Sequence, residues 1–498
     1  MAELQAAFIN VLTPSVMLFL FLGVTIGTVI GALPGLSATM GIAILTPVTF
    51  WFAPENGFAM LIGLWNAAIF AGGITAIILN TPGTPSSITQ SFDGYPLYKQ
   101  GKGGLALGIN VIYSAIGGLI SILCLIIFAF PIARFTVTFG PTEYFSLALL
   151  GLTMMITVSG KDILKGFLMG FTGLLISTIG LDPILSVKRY TLGQTDLLSG
   201  ISFIPVMIGM FGLGEVLYQI FTRSKEKEAR EAALKKENLA LGRIFPTRNE
   251  FKAMAIPTLL ASLVATIIGA IPAAGADIST IICWGNAKKM SKHPEEYGNG
   301  SLEGLAVSSC ANNGVLGGAL MTMLTLGIPG DSVTAILIGS LMMYGMQPGS
   351  QMFIYNKPFI FSIMILMVLA NVVFLILGLA TVKVTAKGIN VKPESVWVTV
   401  SVLCIVGSFA LNNNFFDVVI MLIAAIIGFL AKSTDFPPGP FILGLLLGNM
   451  LESNLRRALA ISQGSLNIFV TRPVTLIIFL FILTAAIYPL VKKLFSKN

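Results

Sequence analysis

Long apolar runs recur along the chain, separated by short polar or glycine- and proline-rich segments. Their clearest cores are Val16–Ile30, Leu105–Phe130, Phe359–Val382, Val418–Ala431 and Val474–Val491. A helix needs about 20 apolar residues to cross the hydrocarbon core of a bilayer, and these runs approach or exceed that length. The short alternating strands of a transmembrane barrel do not occur in the pattern. We therefore predict an all-α polytopic membrane protein with roughly ten to thirteen hydrophobic segments, some of them broken or re-entrant.

Composition agrees with this class. Of the 498 residues, 55% are hydrophobic and only 10% are charged, and the mean hydropathy is +0.89. A soluble chain carries about a quarter charged residues, so a soluble protein is excluded. The N-terminal stretch MAELQAAFIN lacks the basic region that opens a secretory signal peptide, and we expect no removable signal.

One long hydrophilic stretch, Arg223–Lys252, holds nine Lys or Arg residues and five acidic residues in a chain of net charge +8. Basic loops favour the cytoplasmic side of a membrane, so we predict a cytoplasmic basic linker whose first half is a solvated helix. Its mixed charges do not favour nucleic-acid binding. The linker divides the chain into a first membrane half, 1–222, and a second half with C-terminal helices, 253–498.

The two halves share short motifs in the same order. Ile30-Gly-Ala-Leu-Pro-Gly-Leu-Ser37 matches Ile268-Gly-Ala-Ile-Pro-Ala-Ala-Gly275 at an offset of 238 residues. A Gly-Gly pair and a later Pro-Gly segment recur at offsets of 245 and 247 residues. Ordered matches at near-equal offsets predict two homologous repeats. We expect them to be inverted, related by a pseudo-two-fold axis in the membrane plane.

Each motif interrupts an apolar segment, which predicts helix breaks at Pro34-Gly35, Pro82-Gly83, Pro272 and Pro329-Gly330. Non-helical backbone at membrane depth is tolerated only where protein or a watery cavity covers it. Paired broken helices in two repeats are typical of transporter binding sites, here in an elevator-like secondary transporter architecture. The N–H groups at half-helix starts attract anions. The predicted substrate-binding residues are Pro34, Gly35, Ser37, Asn80, Thr81, Pro82, Gly83, Thr84, Ser86, Ser87, Pro329, Gly330 and Ser332. The alternative is simple kinks in packed helices.

Ionisable and amide side chains also lie inside the apolar regions. An intramembrane carboxylate commonly marks an ion or proton pathway. The predicted cation-binding residues are Asn66, Asp277, Asn312, Asn313 and Asp331. Asp331 could instead be the N-cap of the helix that follows it, and the three asparagines could form interhelical hydrogen bonds. Apart from Na⁺, no metal is expected.

Several motifs are missing from the sequence. There is no G-x-x-x-x-G-K-[ST] phosphate loop, no potassium-channel filter and no nucleophile–base constellation in a plausible context. We therefore predict a secondary active transporter, not an enzyme, with Na⁺ or H⁺ as coupling ion and no other cofactor. An intramembrane enzyme or an ion channel built on the same broken-helix repeats is the alternative.

Longer motifs carry a family resemblance over nearly the whole chain. They are GALPGLSATMGIAILTP (31–47), GGITAIILNTPGTPSSITQSFDGYPLYKQGKGGLALG (72–108), PVMIGMFGLGEVL (205–217), GAIPAAGADIS (269–279), EGLAVSSCANNGVLGGALMTMLTLGIPGDSVTAILIGSLMMYGMQPG (303–349) and PPGPFILGLLLGNMLESNLRRAL (437–459). On these motifs the chain resembles the large permease subunit of tripartite tricarboxylate transporters, the TctA family.

The resemblance implies import of citrate-like tri- or dicarboxylates across the bacterial inner membrane, driven by a Na⁺ or H⁺ gradient. It implies two partners, a small four-span membrane subunit (TctB-like) and a periplasmic solute-binding protein (TctC-like) that delivers the substrate. Assembly into a homo-oligomer is left open. No Lys or Arg lies within the four helix breaks, so we expect helix ends, hydroxyl groups and a bound cation to recognise the substrate charge.

Overall fold

The computed structural model describes residues 2–33, 36–158, 162–222, 242–272, 275–385 and 393–495, most of them helical. The helices are α1 (Ala2–Val11), α2 (Pro14–Gly31), α3 (Ala38–Thr49), α4 (Pro54–Leu79), α5 (Ile88–Leu97), α6 (Gly103–Thr136), α7 (Pro141–Val158), α8 (Ile163–Ser177), α9 (Phe203–Thr222), α10 (Arg248–Gly269), α11 (Gly275–Met290), α12 (Leu302–Leu326), α13 (Ser332–Met343), α14 (Met352–Tyr355), α15 (Lys357–Thr385), α16 (Pro393–Asn412), α17 (Phe415–Ser433), α18 (Pro438–Ile461), α19 (Ile468–Thr471) and α20 (Pro473–Phe495). Shorter elements are 3₁₀ turns at Pro85–Ser87 and Asp196–Ser199, π turns at Tyr98–Lys102 and Ile208–Leu213, and strands β1 (Gly180–Leu181) and β2 (Lys188–Arg189).

Eight helical segments of the described chain are long and apolar enough to cross a membrane. They are α2, α4, the continuous segment Pro85–Thr136, α9, α10, α15, α16 and α17. Shorter apolar helices include α3, α8 and α13, which is the length expected of re-entrant pieces. The protein is an all-α polytopic membrane protein, as the hydrophobic pattern predicted.

Two helices form the centre of the protein. In α4, 94% of the apolar window is buried inside the protein, against 33% in α2 and 22% in α16. Helix α12 is buried without interruption from Gly304 to Thr325. The sequence does not distinguish central from lipid-facing spans, because the side chains are apolar in both environments.

Glycines allow α2 to pack closely against α4. A Cβ atom at Gly27 would lie 2.4 Å from the Leu64 carbonyl oxygen, and one at Gly23 or Gly31 would approach α4 carbonyls to 2.1 and 2.2 Å. Only a residue without a side chain fits at this separation, and small residues serve the same purpose at membrane helix interfaces generally. The three contacts advance together along both helices, so α2 and α4 run parallel.

Contacts of α15 establish the directions of two further helices. Phe58 of α4 packs edge-on against Phe359 at 5.2 Å between ring centroids, and Phe70 stacks on Phe374 at 4.8 Å. The contacts advance together, so α4 and α15 are parallel. Helix α6 runs the other way along α15, because its later residue Phe130 stacks on the earlier Phe361 at 5.2 Å, whereas Gly118 approaches Asn371.

Helix α6 in turn lies parallel to α12. The Cys310 thiol donates to the Tyr113 carbonyl at 3.1 Å, and further along both helices the Thr136 hydroxyl donates to the Thr325 carbonyl at 3.2 Å. Since α6 is antiparallel to α15 and α15 is parallel to α4, the two central helices α4 and α12 run in opposite directions.

A small antiparallel hairpin of β1 and β2 was not predicted from the sequence. Its Arg189 donates to both carboxylate oxygens of Glu452 in α18, at 2.7 and 3.0 Å, and Arg456 donates to Asp182 at 2.6 Å. The Leu185 N–H and the Arg456 guanidinium keep the pKa of the Asp182 carboxyl below its usual range. The four charges tie this loop to α18.

Most of the predicted linker, residues 223–241, lies outside the described residues, and so does its predicted helix. Helix α10 begins at Arg248, inside the predicted linker rather than after it. A capping box fixes this start: the Thr247 N–H donates to Glu250 Oε2 at 2.7 Å, and the Glu250 N–H donates to Thr247 Oγ1 at 3.4 Å.

The close contact of α2 with α4 predicts that Gly27→Ala destabilises the protein. The added methyl group must push α2 away from the Leu64 carbonyl, and overpacking of this kind costs about 1–3 kcal/mol. We expect a lower melting temperature in detergent. Gly285→Ala in α11 is the matched control, because nothing lies within 4 Å of its Cβ position. Equal melting temperatures for the two variants would contradict the packing described here.

Candidate functional site

All four predicted helix breaks separate described helices. They lie between Gly31 and Ala38, Leu79 and Pro85, Gly269 and Gly275, and Leu326 and Ser332. The predicted site residues Pro34 and Gly35 of the first break lie outside the described residues. Each half of the chain therefore has two interrupted helices in corresponding positions.

Residues next to all four breaks line one cavity of about 710 Å³. Among the predicted site residues, the first half contributes Ser37, Pro82, Gly83, Thr84 and Ser86, and the second half contributes Asp277, Asp331 and Ser332. Their positions in the sequence span almost 300 residues, and the fold brings them together.

The remaining predicted break residues do not line this cavity. Asn80 and Thr81 are exposed, whereas Pro329 and Gly330 are buried in packing contacts. Ser87 is buried, and its hydroxyl donates to the Thr84 carbonyl at 2.7 Å. These residues shape the breaks rather than face the cavity.

Glycines bring each pair of breaks into contact. A Cβ atom at Gly83 would lie 2.2 Å from the Gly31 carbonyl oxygen, and one at Gly330 would lie 2.8 Å from the Gly269 carbonyl oxygen. The end of α2 therefore meets the second break of its half, and the end of α10 does the same in the other half. A side chain at either glycine would separate the two breaks.

Helices α4 and α12 end in the same way. Asn80 and Gly327, 247 residues apart, both adopt the left-handed conformation, with φ of 54° and 71°. The N–H of each bonds back to a carbonyl of its own helix, that of Thr75 or Met323. This geometry terminates a helix and turns the chain sharply.

The helices that follow these ends start alike as well. The Thr84 N–H donates to Ser87 Oγ at 3.3 Å, and at the same 247-residue offset the Asp331 N–H donates to Thr334 Oγ1 at 2.9 Å. Asp331 Oδ1 also accepts from the Thr334 N–H at 2.7 Å. The N-cap alternative for Asp331 is therefore observed, and the same residue lines the cavity.

The predicted cation-binding asparagines lie between the central helices. The Asn313 side chain donates to the Asn66 carbonyl at 3.1 Å, Asn312 donates to the Ile69 carbonyl at 3.0 Å, and Asn371 donates to Asn66 Oδ1 at 3.0 Å. None of the three predicted asparagines is among the residues that line the cavity. The interhelical hydrogen bonds of the alternative interpretation are present. The buried Oδ1 atoms of Asn312 and Asn313 have no hydrogen-bond partner among the described residues.

Two charged residues of the cavity were missed by the sequence analysis. Glu215 of α9 and Lys432 of α17 both line it, and Lys432 Nζ lies 2.6 Å from Glu215 Oε1. Their signal was a charged residue inside an apolar segment, which commonly marks function in a membrane protein. Because neither residue is next to a break in the sequence, the motif pattern gave no reason to join them to the site.

Comparison with known proteins identifies the family. The sequence model described as tripartite tricarboxylate transporter TctA family matches residues 17–443. The chain belongs to the TctA family. It is therefore a multi-pass membrane protein of a transporter family, which agrees with a non-enzymatic role.

Two relatives of this TctA-family protein occur in Agrobacterium vitis. One is an uncharacterised 52.8 kDa protein in the TAR-I ttuC' 3' region, 34% identical over 474 residues, which cover 95% of this chain and 93% of the relative. The other, an uncharacterised protein in the TAR-II ttuC' 3' region, is 30% identical over 209 residues, 42% of this chain and 86% of the relative. No solved structure matches the chain.

The double position of Asp331 predicts different effects for two substitutions. Asp331→Asn keeps an N-cap oxygen and removes the charge, whereas Asp331→Ala removes both. Loss of the cap costs about 0.5–2 kcal/mol, so we expect only the alanine variant to have a clearly lower melting temperature. If the carboxylate also holds a cation, both variants lose the thermal stabilisation that Na⁺ provides over choline. An asparagine variant that retains this stabilisation would leave Asp331 with the capping role alone.

Proposed function

We propose that this protein is the large transmembrane permease subunit of a tripartite transporter, importing citrate-like tri- or dicarboxylates by secondary transport coupled to Na⁺ or H⁺. The observation that carries the proposal is the convergence of all four helix breaks on one cavity. Its volume of about 710 Å³ lies within the range of roughly 300–1,000 Å³ typical of small-molecule sites.

The starts of helical segments supply groups that attract an anion. Next to the cavity, α3 begins after Ser37, the 3₁₀ turn at Pro85, α11 at Gly275 and α13 at Ser332. The first N–H groups of a helix lack partners within it, and its N-terminal end carries a partial positive charge. Hydroxyl groups of Thr84, Ser86 and Ser332 add donors for carboxylate oxygens. These features support recognition of a carboxylate substrate.

Acidic residues in the same cavity support coupling to a cation. Asp277 and Asp331 line it together with the helix starts, and two carboxylates repel an anionic substrate unless a cation or a proton neutralises them. Binding of the cation and binding of the substrate then favour each other. The buried amide oxygens of Asn312 and Asn313 are further candidate ligands for Na⁺.

Inverted repeats with an elevator-like movement are part of the proposal. The corresponding helices α4 and α12 run in opposite directions and share their end and cap geometry. The packing corresponds too: a Cβ at Gly31 would lie 2.2 Å from the Ala68 carbonyl, and one at Gly269 would lie 2.3 Å from the Val315 carbonyl. Both residues of this contact recur in the second half at the offsets of the two motifs. A pseudo-two-fold axis in the membrane plane would relate such halves.

Family membership supports the remaining parts of the assembly. A tripartite system implies two further components, which we propose to be a small four-span TctB-like subunit and a periplasmic TctC-like binding protein. The bacterial inner membrane is the compartment in which a periplasmic protein could deliver substrate to this subunit. A homo-oligomer is compatible with the same arrangement.

Hydroxyl groups at the cavity lead to a prediction about affinity. Ser86→Ala and Ser332→Ala should each weaken substrate binding, because each removes a hydrogen bond to a charged group worth about 1.5–3 kcal/mol. This corresponds to about tenfold to a hundredfold in dissociation constant, measured by calorimetry on protein in detergent. Folded yield should change little, since these hydroxyls line a cavity.

Ser87→Ala is the matched control for these variants. Its hydroxyl bonds the backbone of the same turn, so its loss should lower the melting temperature more than the affinity. If the prolines were simple kinks, Ser86→Ala and Ser332→Ala would keep wild-type affinity, and Pro82→Ala would lower only the folded yield. Wild-type affinity in both serine variants would reject the anion site.

Transport should depend on an ion gradient and not on ATP. We expect citrate uptake into proteoliposomes that contain the membrane subunits and the binding protein when an inward Na⁺ or H⁺ gradient is imposed. Collapsing the gradient with a matching ionophore should stop uptake. Uptake that follows added ATP and ignores both gradients would overturn the secondary-transport proposal.

A further inference from the structure

Lys432 and Glu215 form an ion pair inside the proposed substrate cavity. Lys432 Nζ lies 2.6 Å from Glu215 Oε1 and also contacts Oε2. Lys432 is the one basic residue among the described residues that line the cavity, where the acidic residues are Glu215, Asp277 and Asp331. A cavity built for an anion thus has a single cationic side chain, and it is already occupied by a carboxylate.

The two helices that carry the pair are held in close contact. A Cβ atom at Gly428 of α17 would lie 2.7 Å from the Met210 carbonyl of α9, and one at Gly214 would lie 2.9 Å from the Ala425 carbonyl. A π turn at Ile208–Leu213 interrupts α9 just before Glu215, and such turns occur often at functional sites. The backbone around the pair is therefore well defined.

Lys432 lies in the last turn of α17, where the negative end of the helix dipole favours a cation. Its ammonium also lies over the Tyr218 ring, 4.5 Å from the centroid. Glu215 has a second partner as well, because Gln219 Nε2 donates to its Oε1 at 3.2 Å. Each charge therefore keeps a favourable contact when the pair opens.

The ion pair is exposed enough to be exchanged. The Lys432 side chain is 41% exposed and that of Glu215 is 16% exposed. A pair in contact with water contributes little to folding stability, so replacing one carboxylate by another at the ammonium costs little. A substrate carboxylate offers Lys432 the same chemical group that Glu215 now presents.

We propose that Lys432 binds one carboxylate of the substrate and that Glu215 holds the ammonium in place until substrate displaces it. The inference rests on the proposed carboxylate transport. One carboxylate would meet Lys432, while another reaches the helix starts on the opposite wall of the cavity. This selects molecules with at least two carboxylates over monocarboxylates.

The proposal predicts effects of opposite sign for the two partners. Lys432→Gln should weaken binding by about tenfold to a hundredfold, the value of a charge-assisted hydrogen bond. Lys432→Arg should retain binding, since the charge remains. Glu215→Gln should tighten binding, because the competing carboxylate is gone. A pair with only a structural role would instead make both glutamine variants worse in the same way.

The measurement is calorimetric titration of the purified full-length protein with citrate and with succinate, alongside melting temperatures of every variant. Lys99→Gln is the matched control: its ammonium also lies over a tyrosine ring, 5.1 Å from the centroid of Tyr95, but outside the cavity. We expect wild-type affinity in this control, which separates a local contact from the change in net charge.

The outcomes distinguish the two levels of proposal. If the wild type binds neither citrate nor succinate saturably, the proposed substrate class fails and the inference fails with it. If it binds them and Lys432→Gln binds equally well, the inference alone is overturned. Weaker binding in Glu215→Gln also overturns it, and that comparison decides the question if Lys432→Gln does not fold.

Discussion

The structure depends on covering the backbone groups that four interrupted helices leave unpaired at membrane depth. In hydrocarbon such groups would cost several kcal/mol each, so the breaks must be enclosed by protein or face a polar cavity. The protein does both. Gly83 lets the second break of the first half pack on the end of α2, and its N–H donates to the Gly72 carbonyl at 3.1 Å. Gly330 packs on the end of α10.

This enclosure explains why α4 and α12 are central. Each leads into a break that must meet the break beginning at the end of α2 or α10, so the neighbouring helices have to surround them. Their contact is polar rather than only apolar, with Asn66 and Asn313 at equivalent positions of the two halves in direct hydrogen-bond contact. Leaving a buried amide without partners is costly, so this network favours one relative position of the two helices.

The breaks could be predicted from sequence because their cause is local. Proline and glycine interrupt a helix wherever they stand, and an apolar run around them places the interruption in the membrane. The N-cap role of Asp331 is local too and was recognised as an alternative. The site as a whole was only partly accessible: Ser87 and Asp331 occupy similar capping positions, yet only Asp331 lines the cavity. Which side of a turn faces the cavity depends on tertiary packing.

Non-local features escaped prediction for the same reason. Glu215 and Lys432 are 217 residues apart, and only the packing of α9 on α17 brings them together. Glycines on both helices permit that packing, but glycine is frequent in membrane helices and identifies no partner. The β1–β2 hairpin is likewise held by ion pairs to a distant helix, with little hydrophobic pattern of its own.

The charges of the cavity connect its parts into one mechanism. Glu215, Asp277 and Asp331 face one lysine and the starts of several helical segments. With every acid ionised, the side chains alone would repel a polyanion, while the helix starts would still attract it. A cation at the aspartates changes this balance, and a substrate carboxylate that takes the place of Glu215 at Lys432 adds no new charge to the lysine. The arrangement therefore favours loading of cation and anion together over loading of either alone, which is the property that a symporter needs.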